Sequence, residues 1–169
     1  MKNLKTLSLL FITVTFVYSC SKNNDDNDSD ATAEFSATIN GGTYNNFQAS
    51  LGSYSADSSN GLTIAVVDDS GNTIRLFMNS TGGFSSGVIK EVGNIDDNGF
   101  QTSALFRDTN TQVIYNSISG NIKITQNKES NTDPNNRVVT GTFNVTANVN
   151  TGTTITMVGT FKNIIVSGL

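Results

Sequence analysis

From Phe35 to the C-terminus, apolar and polar side chains alternate in short runs, and Gly, Asn and Asp separate the runs. A period of two is that of a half-buried β-strand, and those three residue types supply the turns between strands. The pattern predicts strands at 35–39, 43–51, 62–67, 72–79, 100–107, 111–118, 120–127, 137–149 and 153–166. No window of adequate length carries the 3.6-residue period of an amphipathic helix. The expected fold is therefore all-β: a single antiparallel β-sandwich or flattened barrel of about 8–9 strands connected as a meander.

Several hairpins can be registered from the pattern alone. The loop Asn150-Thr151-Gly152 carries Gly where a left-handed residue is wanted. It pairs Val145 with Met157 and Ala147 with Ile155. It also sets Phe143 opposite Gly159 and Phe161 opposite Gly141, so each ring covers a bare glycine backbone. The loop Asp69-Ser70-Gly71 pairs Val66 with Ile74, Ile64 with Leu76 and Leu62 with Met78. A third loop, Asp108-Thr109-Asn110, pairs Leu105 with Val113 and places Asn110 in the left-handed position. A fourth turn lies at Asn40-Gly41-Gly42, where two registers fit equally well. Two connections are longer, 81–99 and 127–136. Long loops on a β scaffold are where binding usually sits.

The first thirty-three residues follow a different pattern. Lys2 and Lys5 precede an apolar run, Leu7 to Val17, of eleven residues. A membrane span needs about 20. A positive start, a short apolar run and a small residue before a cut site describe a secretory signal peptide. Ser21 to Ala33 holds no large apolar side chain and cannot bury enough surface to offset the entropy of ordering. As a flexible chain it would hold a domain roughly 20 Å from its anchor point. The chain divides into 1–19, a signal peptide; 20–33, Cys20 and an acidic tether; and 34–169, the β-rich domain.

Val17-Tyr18-Ser19-Cys20 resembles the lipoprotein box of bacterial lipoproteins. The resemblance implies that Val17, Tyr18 and Ser19 are read by the signal peptidase and that Cys20 becomes the first residue, its thiol carrying lipid. Ser21, where an Asp would retain a lipoprotein at the inner membrane of enteric bacteria, implies the outer membrane. Lys22, Asp25 and Asp26 resemble the surface-export signal of Bacteroidota lipoproteins, which implies the outer face of the cell. Glu34-Phe-Ser-Ala-Thr-Ile-Asn-Gly-Gly-Thr-Tyr44 resembles the opening of an uncharacterised family of flavobacterial-type Bacteroidota lipoproteins. Gly120-Asn-Ile-Lys-Ile-Thr125, Gly141-Thr-Phe143 and Gly159-Thr-Phe161 resemble the same family's ending. That family implies a lipid-anchored extracytoplasmic β domain, with no established activity and no catalytic residues to carry over.

Charge and composition narrow the chemistry. Ten basic and fourteen acidic residues give a net charge of −4, and loss of Lys2 and Lys5 with the signal peptide makes it more negative. Nucleic acid and anionic lipid heads are poor partners for such a surface. The chain has no His and a single Cys, so the usual base for Ser or Cys catalysis is missing. No catalytic set and no cofactor beyond the covalent lipid is expected. Paired carboxylates remain, with Asp68, Asp69, Asp96, Asp97, Glu91 and Asp108 as candidates. All but Glu91 fall at predicted turns, where Asp hydrogen-bonds its own backbone. Asp26, Asp28 and Asp30 alternate like calcium ligands, but Ala31 and Ala37 stand where such a loop needs Gly and Glu. Asn94, Asp96 and Asn98 form a second weak calcium candidate, with Gly99 sixth and Leu105 in place of the twelfth-position Glu. There is no Trp, so an aromatic ligand platform would have to come from Tyr44, Tyr54, Phe84 or Tyr115.

The expected role is a non-catalytic binding or accessory domain, anchored in the outer membrane, with an unknown protein or glycan partner. Two alternatives make structural demands. A calycin-like barrel carrying a small hydrophobic ligand needs an internal cavity. A carboxylate-dependent glycan hydrolase needs two carboxyl groups about 5–10 Å apart in a cleft.

Overall fold

The computed structural model describes residues 30–49, 54–58, 60–149 and 152–169, without the side chains of 54–57. Val17, Tyr18, Ser19, Cys20, Lys22, Asp25 and Asp26 lie outside the described residues. Ten strands follow in order: β1 (Glu34–Asn40), β2 (Asn46–Ala49), β3 (Tyr54–Asp57), β4 (Leu62–Val67), β5 (Thr73–Met78), β6 (Ile89–Glu91), β7 (Ser103–Asp108), β8 (Val113–Glu129), β9 (Asn136–Asn148) and β10 (Thr154–Ser167). All pairings are antiparallel within one sheet of order β2-β1-β10-β9-β8-β7-β5-β4-β3, with β6 added on β8. The sheet curls into a flattened, nearly closed barrel. Near the seam, the Ser58 hydroxyl on the β3 side donates to the Ser167 carbonyl at the end of β10, at 2.7 Å.

The apolar phase of the strands points into one interior, where Ile39, Phe47, Ile64, Leu76, Ile122 and Val145 are fully buried. Each such side chain contributes about 1.5–3 kcal/mol relative to exposure. Rings run through this core: Phe35 stacks on Phe143 at 5.4 Å and Phe106 on Tyr115 at 6.0 Å. The two registers read from Gly-containing loops are present, with Ile64 opposite Leu76 and Phe143 opposite Gly159. Asn150 and Thr151 of the second loop lie outside the described residues; Gly152 has φ +93. At the first turn, Ala37 pairs with Phe47 and the strand shortens to 46–49.

The Leu105–Val113 pairing is corrected. Asp108 faces Val113, and Leu105 faces Asn116. The loop is one residue longer than expected, and Gln112, not Asn110, takes the left-handed conformation, at φ 57. The slip exchanges the two faces of β7. Phe106, nearly fully buried, enters the core, while Leu105 turns outward. The larger side chain wins the interior.

The strands expected at 111–118 and 120–127 are one. β8 continues through Ser117-Ile118-Ser119 as a bulge, because pairing with β9 resumes at Ser119–Thr146. Gly120, at φ +114, lies where a β-carbon would overlap the Asn144 carbonyl. Further bulges fall between Ile124 and Gln126 on β8 and between Phe161 and Ile164 on β10. They flank Gly141 on both sides and bend three long strands together. The 127–136 connection shrinks accordingly to 130–135. The tether does not run free to Ala33. The Asp30 carboxylate accepts from the Ser130 and Thr132 hydroxyls and the Asn131 N–H, and Ala33 is buried.

Candidate ligand-binding site

The long 81–99 connection is tied to the barrel. β6 pairs with β8, and the Gly87 and Ile124 N–H groups bond the Ile124 and Val88 carbonyls at 2.8 and 2.9 Å. Residues 93–102 then form a narrow projecting turn. The Gly93 N–H bonds the Thr102 carbonyl, and the Asp96 N–H bonds the Phe100 carbonyl. Asp96 locks its tip, because Oδ1 accepts from the N–H groups of Asn98 (3.0 Å) and Phe100 (2.9 Å). Burial pushes the Asp96 carboxyl up, but those N–H donors and the Ser80 hydroxyl outweigh it and hold it below the usual range. A carboxylate that accepts from N–H groups in this way is an Asx turn. Asn98 is exposed and uses only its backbone N–H here.

Asn79, fully buried at the end of β5, anchors the turn from below. Its Nδ2 donates to the carbonyls of Asn94 (2.8 Å) and Phe100 (3.2 Å). Its N–H donates to the buried Thr102 hydroxyl. Lys90, on β6, is 2 % exposed and donates to the carbonyls of Asn79 (2.8 Å) and Thr81 (2.5 Å). Burial lowers the affinity of this amine for its proton, against a weaker pull from Asp96. The Phe84 ring lies over the ammonium at 4.6 Å, and the Phe84 carbonyl accepts from Asn127.

The turn stands as a wall beside the outward face of β4, β5 and β7. Phe100 leans over Phe77, with ring centroids 6.2 Å apart and planes tilted by 58°. A depression of about 340 Å³ opens between them, floored by Thr63, Arg75, Ser103 and Leu105. On the other flank of Phe100 lies a second depression of about 510 Å³, reaching Phe84, Ser80 and Asn98. Asn60 lines both. Phe100, 38 % exposed, is the ridge between the two depressions, which together form the candidate cleft. Phe77, Phe84 and Phe100 give it aromatic surface, and hydroxyls and amides surround them. Among the described residues, those lining it include no carboxylate.

Of the expected aromatic platforms, Phe84 is in the cleft and two are elsewhere. Tyr115 is 7 % exposed and belongs to the core. Tyr44 is half-buried, stacked on Phe106 at 5.9 Å, and its hydroxyl donates to Asp68. Burial and that carboxylate push the Tyr44 phenol up to about 12. Tyr54 starts β3, and its side chain lies outside the described residues. Sequence reasoning missed Arg75, Phe77 and Phe100. Phe77 did carry a signal: it is a large aromatic on the polar phase of a strand whose Ile74, Leu76 and Met78 point inward.

Of the candidate carboxylates, Asp68, Asp96 and Asp108 are engaged in turns, Asp69 and Asp97 are exposed beside them, and Glu91 is exposed at the end of β6. Asp68 accepts from the N–H groups of Ser70 and Asn72 and from the Asn72 amide. Asp108 accepts from the Thr43 hydroxyl (2.8 Å) and the Asn110 and Thr111 N–H groups. Both sit at the barrel end where β5 starts, and Asp96 sits at the other end of that strand, roughly 20 Å away at the usual rise of a six-residue strand. The interior is filled by one continuous cluster of buried side chains. A broad, shallow groove of about 880 Å³ crosses the outer face of β2, β1, β10 and β9, lined by uncharged groups such as Gln48, Thr142 and Thr160. No protein-family model, curated protein or solved structure matches this chain.

Proposed function

We propose that this protein is a lipid-anchored, non-catalytic glycan-binding domain of the bacterial outer membrane, displayed at the cell surface. The observation that carries the binding role is the cleft around Phe100. It combines exposed aromatic faces, which stack on the apolar faces of sugar rings, with a surround of hydroxyl and amide groups. Small-molecule sites commonly take this form, apolar surface with a few convergent polar groups. The wall is preorganised by buried hydrogen bonds from Asn79 and Asp96, so little ordering entropy is lost on binding. The turn roles of Asp68, Asp96 and Asp108 support a non-catalytic reading, because each carboxylate already serves the backbone around it. The lipoprotein-type box ending at Cys20 and the likeness to Bacteroidota lipoproteins support the anchor and the location.

The test is titration of the purified lipoprotein, in detergent, against a panel of oligosaccharides by calorimetry. Binding is expected for at least one glycan class. Phe100→Ala should weaken it by at least about tenfold, equivalent to about 1.4 kcal/mol. A panel with no binder, or Phe100→Ala binding as tightly as the native chain, contradicts the reading.

A further inference from the structure

We infer that the sugar bound in this cleft is anionic, with a carboxylate or sulfate ester held by Arg75. This rests on the glycan-binding reading and adds the class of ligand. Arg75 stands in the middle of β5 on the outward face, between Ala65 of β4 and Leu105 of β7. Neither neighbour carries a charge or a polar side chain. The side chain is exposed, and among the described residues its guanidinium makes no hydrogen bond and no ion pair. The other arginines are engaged. Arg107 donates to Gln112 at 3.0 Å, and Arg137 pairs with Glu129 and donates to Asn127.

The setting of Arg75 is unusual for this molecule. The chain carries a net negative charge, yet the described side chains that line the cleft include one cation and no carboxylate. A guanidinium offers a planar fork of N–H donors that matches an oxyanion in bidentate fashion. The aromatic pair Phe77 and Phe100 sits in the same depression, so one sugar unit can stack on a ring while its acidic group reaches the fork. Thr63, Ser103 and Gln101 remain for ring hydroxyls. About 340 Å³ lies at the lower end of the range for small-molecule pockets, and the continuation past Phe100 toward Phe84 gives a neighbouring unit a place.

The experiment uses the full lipoprotein in detergent and matched pairs of probes: an oligogalacturonate with its methyl ester, and a sulfated galactan with its desulfated form. The acidic member of at least one pair should bind at least tenfold more tightly than its neutral counterpart, and the preference should shrink as salt is raised. Arg75→Gln should remove that preference, with the acidic member losing at least tenfold in affinity and the two members of the pair becoming equal. Arg75→Lys should restore only part of it, since an ammonium lacks the fork. A preference for the uronate identifies a carboxylate ligand, and a preference for the galactan identifies a sulfate ester; either supports the inference. Equal affinity within both pairs, or a preference that survives Arg75→Gln, overturns the anionic assignment and leaves the glycan reading standing. Binding of neither pair, with none by any neutral glycan in the wider panel, overturns both. Thermal melts of each variant matching the native chain exclude misfolding as the cause.

Discussion

Gly141 and Gly159 have no room for a β-carbon. At Gly141 it would overlap the Phe161 ring and the Lys123 carbonyl; at Gly159 it would overlap the Ser36 carbonyl and meet Phe143. Overpacking of this kind costs typically about 1–3 kcal/mol. Gly159→Ala and Gly141→Ala should each lower the unfolding free energy by an amount in that range, read as a lower urea midpoint with the slope unchanged. Asp108 makes a pH prediction. Burial raises its carboxyl, but the Thr43 hydroxyl and the N–H groups of Thr111 and Asn110 prevail and hold it below the ordinary 3.8. A carboxyl depressed in the folded state stabilises that state above its unfolded value. The stabilisation is lost as pH falls through the lower folded value. Asp30, held down first by the Ser130 hydroxyl, acts in the same direction. Unfolding midpoints should therefore be flat through neutral pH and fall below about 3.8, and Asp108→Asn should flatten part of that acid slope. The Gly–Phe pairs were legible in the sequence because both partners are local to one hairpin. The partners of Asp108 were legible only in part: Asn110 is two residues away, but Thr43 comes from the far side of the chain.

At the scale of the element, a hairpin can be read where a three-residue loop with Gly fixes its register. That held for Leu62–Met78 and for Gly141–Phe161. It failed at Leu105–Val113, because neither Asn110 nor Gln112 is Gly and nothing local sets the loop length. Tertiary packing of Phe106 against Tyr44 and Tyr115 decided it. It failed again at Ser119, where one strand was expected to end and another to begin, since the bulge exists only because β9 pairs on both sides of it. β6 was missed because three residues are too short to show alternation. On the proposed binding role, the element that should matter most is the turn 93–102. Asp96→Ala removes the acceptor for the Asn98 and Phe100 N–H groups and loosens the wall without opening the core. It should weaken glycan binding severalfold in calorimetry, while shifting the unfolding midpoint less than Gly159→Ala does.

For the whole molecule, the proposed anchor at Cys20 and the β domain should be separable. Cys20→Ala should abolish incorporation of labelled palmitate and move the protein from the membrane fraction to the soluble one, with glycan affinity unchanged. Retention of palmitate by the variant would contradict lipidation at that residue. Strand alternation, turn chemistry and the absence of a helical period act within a few residues of each other. For that reason the sequence alone determined the all-β class, the inward set led by Ile64, Leu76, Val145 and Met157, and two of the hairpin registers. Phe84 was recognised as a possible platform only by being an aromatic in a long loop. The convergence of Phe77 from β5, Phe100 from the projecting turn and Arg75 between two neutral neighbours was decided by the tertiary structure. Those positions depend on the curl of the sheet. They depend also on a buried amide, Asn79, that reaches across to Asn94 and Phe100, and no local period encodes a bond between chain segments that distant.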